Sequence, residues 1–155
     1  WTCFRVNEDN KDYLSLEEIH NLARNVGGKE HGFRFIQLPY NLAYSEALFL
    51  KNQSYNEEKN LTILDAAMKL QIGVFSSVPL FQGRLLNTNI PDYAENMTNQ
   101  ILKLVQIIRS TPGIIAPLLG QKKMEHVKQN IKIAEIPLLS NDEFKSALRM
   151  LIDEK

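Results

Sequence analysis

The stretch IIRSTPGIIAPLLGQKKMEHVKQN, residues 107–130, decides how the rest of the chain is read. Ile107-Ile108-Arg109 ends a helix, Ser110 to Gly113 makes a turn, and Ile114 to Leu119 is a short apolar strand that leads through Gly120 and a polar loop into another helix. Pro112 keeps the first helix from running on, and Pro117 predicts an irregular or edge-like end to the strand. A buried strand feeding a helix through a glycine and a basic loop leaves the first-turn N–H groups and the positive end of the helix dipole free. The pattern predicts one β-loop-α unit with a phosphate seat, flanked by Lys122 and Lys123.

Working outward, two more strands precede it. Phe33 to Leu38 alternates, with Phe33, Phe35 and Gln37 on one face and Arg34, Ile36 and Leu38 on the other. Val74 to Ser77 is the second, and its two terminal hydroxyls, Ser76 and Ser77, suit phosphate oxygens or polar cofactor atoms. Between and around the strands lie helices. Ser15 and Glu18 form a capping-box pattern ahead of the stripe Leu16, Ile19, Leu22, Ala23 and Val26, which Gly27-Gly28 ends. Pro39 to Asn60 reads as a long connection with a helical turn at Ser45 to Phe49. Thr62 to Gln71 is a helix with Ile63, Ala66, Ala67 and Leu70 inward, and Glu95 to Ile108 is another with Met97, Ile101, Leu104, Val105 and Ile108 inward. The helix after Lys123 puts Val127, Ile131 and Ala134 on its packed face, and Ser140 to Glu143 caps a final helix through Phe144, Leu148 and Leu151.

Composition narrows the class. The 155 residues are 44% hydrophobic and 23% charged, which suits one globular α/β domain over residues 1–155. Eighteen basic residues balance 18 acidic ones, so no global field recruits nucleic acid or an anionic membrane. A single cysteine, Cys3, excludes an internal disulfide framework, and no Cys/His cluster has zinc-ligand spacing. The expected location is intracellular, in the cytoplasm. Sequons at Asn52, Asn60 and Asn96 read as chance composition, and a chain that begins at Trp1 reads as a piece of something longer. Dinucleotide fingerprints of the G-x-G-x-x-G type, Walker motifs and nucleophile elbows are absent.

Three motifs carry a family resemblance. Arg109 to Gly113 with the strand and Glu125-His126-Val127 to Asn130, Gln37-Leu38-Pro39-Tyr40-Asn41, and Ser77 to Gly83 (SVPLFQG) together resemble the aldo/keto reductases, in their C-terminal half only. The resemblance implies a partial (β/α)8 TIM-type barrel, about the last three to four β/α units with a C-terminal helix, and places Trp1 at the end of the fifth barrel strand. It implies an NAD(P)H site of NADP type, or NAD, at the carboxyl ends of the strands, the usual ligand-binding face of an α/β barrel. Gln37 then holds the nicotinamide carboxamide, while Ser77, Leu80 and Gln82 face the pyrophosphate. Ser76 stands where many members carry an aromatic residue that stacks on the nicotinamide. Gly120, Gln121, Lys122, Lys123 and His126 take the adenosine end, with Gln129 and Asn130 near the adenine.

Chemistry is only half supplied. The family's acid is a tyrosine supported by a lysine, an aspartate and a histidine, all from the first half of the barrel, and no motif for them occurs here; Tyr40 and Tyr44 do not match that tyrosine's position. No catalytic residue is assigned. The implied whole reduces a small carbonyl substrate once an N-terminal half, or a second copy, completes it. Two alternatives remain: a non-catalytic half-barrel that binds nucleotide or serves as a structural module with itself or a partner, and a small unrelated α/β protein. Three or four parallel strands cannot close a barrel, so open edges and an exposed apolar face are expected.

Overall fold

Ser15 has extended backbone and its hydroxyl accepts the Glu18 N–H, so the first helix, α1, runs Leu16–Gly27, where the capping pattern puts it. Its stripe is covered only at the start: Leu16 is fully buried, whereas Val26 is 83% exposed. The computed structural model describes residues 2–88, 90, 92, 93, 97 and 99–153. Expectations for Trp1, Asn96 and the helix start at Glu95 fall outside them.

Strand β1 (Phe35–Pro39) and helix α2 (Glu46–Phe49) follow, then an antiparallel hairpin of β2 (Gln53–Tyr55) and β3 (Glu58–Leu61). Thr62 and Asp65 close a reciprocal capping box at the start of α3 (Ile63–Lys69). Strand β4 (Gly73–Ser77), α4 (Gln100–Ser110), β5 (Ile114–Pro117), α5 (Met124–Asn130) and α6 (Asn141–Asp153) complete the described elements. Asn99 caps α4, accepting from Ile101 and Leu102, and Ser140 and Glu143 bond each other's backbone N–H at the start of α6.

The three long-range strands form one parallel sheet in the order β1-β4-β5. Register pairs Ile36 with Val74, Gln37 with Phe75, Leu38 with Ser76, and Phe75 with Ala116. Partners in register share a face, so the sheet sorts its residues cleanly. Ile36, Leu38, Val74, Ser76 and Ile114 are all buried, and the apolar ones pack with Leu16 of α1, Leu64 and Ala67 of α3 and Ile108 of α4. On the opposite face none of the described helices covers Phe35, 59% exposed, or Ile115, 52% exposed. Phe35 and Phe75 tilt together there at 5.7 Å, and Gly73 leaves the room they need, since a Cβ on it would lie 2.7 Å from Phe35 Cδ1 and would overlap Ile115. This is an α/β fold with helices on one face and an open apolar face on the other.

One expectation about the helices is corrected. Ile131 and Ala134, assigned to the packed face of the helix after Lys123, are exposed: α5 ends at Asn130 and the chain tightens into a 3-10 turn over Ile131–Glu135. The connection from Pro39 to Asn60 holds its expected helical turn as α2 and, beyond it, a hairpin that anchors the segment ahead of α1. Gln53, wholly buried, accepts the Leu16 N–H at 2.9 Å and donates to the Leu14 carbonyl at 3.2 Å. Asn52 donates to the carbonyls of Phe4 and Val6 at 3.1 and 2.7 Å. With its amide so used and 2% exposed, Asn52 is no acceptor for a glycan in the folded chain.

Tyr40 belongs to this core rather than to any chemistry. It is 3% exposed, and its hydroxyl lies 3.0 Å from that of Thr111, which itself donates to the Ile107 carbonyl at 3.0 Å; the tyrosine is therefore the donor to Thr111. Burial pushes its pKa up to about 12 from 10.0. Because the folded value is the higher one, the folded chain keeps this proton more tightly: stability is full below pH 10 and is lost as pH rises toward 12, by about 3 kcal/mol for a shift of this size. Tyr93, also raised by burial, acts in the same direction. A urea midpoint followed from pH 9 to 12 should fall steeply, and Tyr40→Phe should flatten part of that fall at a cost of about 1 kcal/mol at neutral pH. An unchanged alkaline slope in Tyr40→Phe would rule the tyrosine out as its source.

Candidate functional site

The carboxyl ends of β4 and β5 meet in a groove of about 320 Å³, lined by Val78, Leu80, Gln82 and Gly83 on one side and by Leu118 and Gly120 on the other. Leu80, Gln82 and Gly120, three residues the motifs singled out from separate loops, come together here. Gly120 has open space where a side chain would stand, so its backbone is approachable at van der Waals distance.

The wall of this groove is a strained loop. Val78, Phe81 and Gln82 have φ of 48°, 48° and 55°, and Gly83 has 87°. Positive φ is costly for a β-branched residue such as Val78, and each such residue costs on the order of 1–3 kcal/mol. The surrounding contacts hold it. The Phe81 N–H donates to the Val78 carbonyl at 2.8 Å and the Asn41 amide donates to the same carbonyl at 2.9 Å, while the Asn41 oxygen accepts from Ala43 and Tyr44. Tyr44 meets Phe81 edge to face at 4.8 Å; the Arg5 guanidinium sits 3.7 Å over Tyr44 and pairs with Glu46 at 2.6 Å. Motif reading stopped at Gln37 and did not assign Asn41 a role, although it ends the quoted Gln37-to-Asn41 motif and fixes the loop.

Each remaining residue can be placed in turn. Gln37 is exposed on the open face of β1, in register with Phe75. Ser77 ends β4 on that same face; it is 6% exposed and its Oγ is buried without a hydrogen-bond partner. Ser76 differs from its neighbour. It is fully buried on the helix-facing side and its hydroxyl donates to the Tyr40 carbonyl at 2.8 Å, so its side chain ties β1 to β4 and is not offered to a ligand. The pair of hydroxyls expected at the strand end is thus one hydroxyl, and the aromatic beside Gln37 is Phe75.

Gln121, Lys122, Lys123, His126 and Gln129 are exposed on the loop and on α5. Lys123 is the N-cap and no side chain caps the helix. Asn130 is 8% exposed and, with Gln121, lines a largely apolar cavity of about 540 Å³ between β5, α4 and α5. Leu119 lines both this cavity and the groove, while Asn130 lines only the cavity. Among the described residues no cluster of His, Cys, Asp or Glu has the makings of a metal site, and no helix is long and apolar enough to cross a membrane.

No family model and no curated sequence relative matches the chain. Its fold, however, is similar to that of solved aldo-keto reductase structures. The holo form of the aldo-keto reductase AKR11C1 from Bacillus halodurans superposes with a TM-score of 0.56 at 12% identity, over 86% of this chain and 54% of that one. The apo form of the same protein gives 0.54 at 11% identity, over 94% and 59%. The chain therefore spans little more than half the length of the protein it resembles, and at this identity the likeness is one of fold.

Proposed function

We propose that this chain, as one domain over residues 1–155, is the cofactor-binding part of an NAD(P)H-dependent oxidoreductase of aldo/keto reductase type, forming the last units of a TIM-type barrel. The observation that carries the reading is the groove at the ends of β4 and β5, where Leu80, Gln82 and Gly120 converge beside the open face that holds Gln37 and Ser77. The fit to a dinucleotide rests on two local features. The orphaned Ser77 hydroxyl lacks the partner that a buried hydroxyl normally has, and Gly120 allows close backbone approach. Fold likeness to an aldo-keto reductase supports the same assignment.

In this reading Gln37 orients the nicotinamide amide and Phe75 lies against the ring. Ser77, Leu80 and Gln82 line the pyrophosphate, Gly120 and Gln121 admit the ribose, and Lys122 and Lys123 with His126 and Gln129 hold the adenosine 2′-phosphate end, favouring NADP. Ser76 and Asn130 act through packing. The dinucleotide supplies the hydride for carbonyl reduction. The proton donor and the carbonyl pocket come from strands outside this chain, which would cover Phe35 and Ile115. An assembly of copies, or a non-catalytic nucleotide-binding module, is the second reading, favoured by that same open face with β1 and β5 at its edges.

Titration of NADPH against the chain, read by nicotinamide fluorescence, should saturate below millimolar ligand. Gly120→Asp sets a carboxylate where the ribose enters, within reach of the dinucleotide's phosphates, and should weaken binding on the order of tenfold or more. Lys122→Gln with Lys123→Gln should weaken NADPH several-fold and leave NADH unchanged, since exposed ion pairs are each worth about 0.2–1 kcal/mol. No fluorescence change at millimolar NADPH, with the fold intact, sinks cofactor binding by this chain alone. Carbonyl-dependent NADPH oxidation on adding the missing half separates enzyme from module.

A further inference from the structure

At the other end of the sheet, away from the groove, a second cleft of about 560 Å³ lies between α1, the start of β1, the β2–β3 hairpin and the end of α3. Arg24, Lys29, Arg34 and Lys69 line it, with Glu17 the one carboxylate among the described residues of its lining. In a chain whose charges balance overall, four cations and one acid around a concavity make a strong local positive field. The acid is partly spent, because Glu17 Oε1 accepts the Asn56 N–H at 2.8 Å. Lys69 pairs with Glu58 at 2.7 Å, but among the described residues Arg24, Lys29 and Arg34 have no ion pair.

Two histidines stand among these cations. His20 and His31 meet edge to face at 5.0 Å, His31 lies 3.2 Å from the Arg34 guanidinium through Nδ1, and His20 Nδ1 is buried with no partner. The same Arg34 nitrogen lies 3.4 Å from Nε2 of the His31 ring. Burial lowers the His31 pKa, Arg34, His20 and Arg24 lower it further, and Glu30 opposes them. Glu17 and the Glu58 that pairs with Lys69 offset only part of this positive charge, and an anion in the cleft would meet the unpaired guanidinium and ammonium groups. The amides of Asn21, Asn56 and Gln71 and the Tyr55 ring complete a polar wall of neutral donors and acceptors.

We propose that this cleft binds a phosphate monoester of a small polar alcohol, its phosphoryl group among Arg24, Lys29 and Arg34 and its hydroxyls toward the amides. The volume lies in the range of small-molecule sites and suits one such ester, and the cations ring one concavity instead of forming the extended stripe that a nucleic acid follows. This site is independent of the dinucleotide groove.

The test is an NMR titration of imidazole-labelled protein at constant pH with inorganic phosphate, sulfate and glycerol phosphate. His20 and His31 should shift saturably, with the ester at least threefold tighter than inorganic phosphate. Arg24→Gln with Arg34→Gln should weaken both at least tenfold while the melting temperature holds, and should leave any shift of the third histidine, His126 on α5, unchanged. Equal affinity for ester and inorganic phosphate would reduce the ligand class to the phosphoryl group alone and overturn the ester assignment. Unsaturable drift of all three rings, undiminished in the double variant, would overturn the site.

Discussion

Val74→Asp should abolish cooperative folding, whereas Phe35→Ser combined with Ile115→Ser should leave the chain folded and more soluble. Val74 is 0% exposed at the centre of the helix-facing side of the sheet. A carboxylate there has no cation within its surroundings of Leu16, Leu64 and Ile108, so it must either stay charged in an apolar core or force the helices away. The cost is about 4 kcal/mol or more, a large part of the 5–15 kcal/mol that keeps such a domain folded. Phe35 on β1 and Ile115 on β5, the two strands that flank β4, sit one residue out of phase with this core, and their exposure means that serine removes little burial, about 1 kcal/mol or less each. Far-UV circular dichroism with urea melts reads the first effect, and sedimentation velocity reads the second as a loss of oligomer. If the serine pair melts the chain as thoroughly as the aspartate does, the open face is part of the core and the one-sided architecture is wrong.

Gln53→Glu is expected to lose about 3 kcal/mol at neutral pH and to regain most of it in mild acid. The wild-type amide accepts from Leu16 and donates to the Leu14 carbonyl in a fully buried position. A carboxylate still accepts, but it faces the Leu14 oxygen with nothing to donate and carries an unpaired charge into the interior. The protonated acid has the amide's shape and can perform both tasks. Its folded pKa is therefore raised above the ordinary value, so its stabilising form is complete below the unfolded pKa of about 4.3 and is lost as pH rises through the folded value. Gln53→Leu, which can do neither task at any pH, should be destabilised by a similar amount with no recovery. Urea midpoints at pH 4.5 and 7.5 decide it; a pH-independent loss in Gln53→Glu would show that shape, not hydrogen bonding, governs the site.

Local signals in the sequence were enough for most helices and for one face of the sheet. Ser15 and Ser140 each cap where a short polar residue precedes an apolar period, and such caps act within a single turn; Thr62, read as the first helical residue, is likewise a cap. Alternation placed Ile36 and Leu38 opposite Gln37 for the same reason. Ser76 and Ser77 show the limit of that logic: adjacent strand residues point to opposite faces, so a pair of hydroxyls cannot serve one ligand, and the phase set by Val74 assigns only Ser77 to the open side. The hairpin was invisible because its strands are short and β3 is largely polar and exposed, with Asn56 turning at φ 54°. Positive φ at Val78, Phe81 and Gln82 was not legible in the sequence, since the loop is held from outside by Asn41 and Tyr44, which lie more than thirty residues earlier in the chain. The basic cleft draws on residues from Glu17 to Gln71, a spacing that no periodicity reports.

The anchoring of residues 3–17 also bears on the order in which the chain assembles. Their polar ties run to residues far ahead: Arg5 to Glu46, Tyr13 to Asn52, Leu16 to Gln53 and Glu17 to Asn56. During vectorial synthesis this segment emerges before the hairpin and cannot make these ties until the hairpin follows, so they form late. Once docked, three of these ties end on the consecutive stretch from Asn52 to Asn56 and the fourth on Glu46 in the helix just before it, so they should break as one unit. Hydrogen exchange should then show the Leu16 amide and those of β2 opening together, at a lower free energy than the β4 amides, and Arg5, released in that opening, would free Tyr44 and with it the loop that walls the groove.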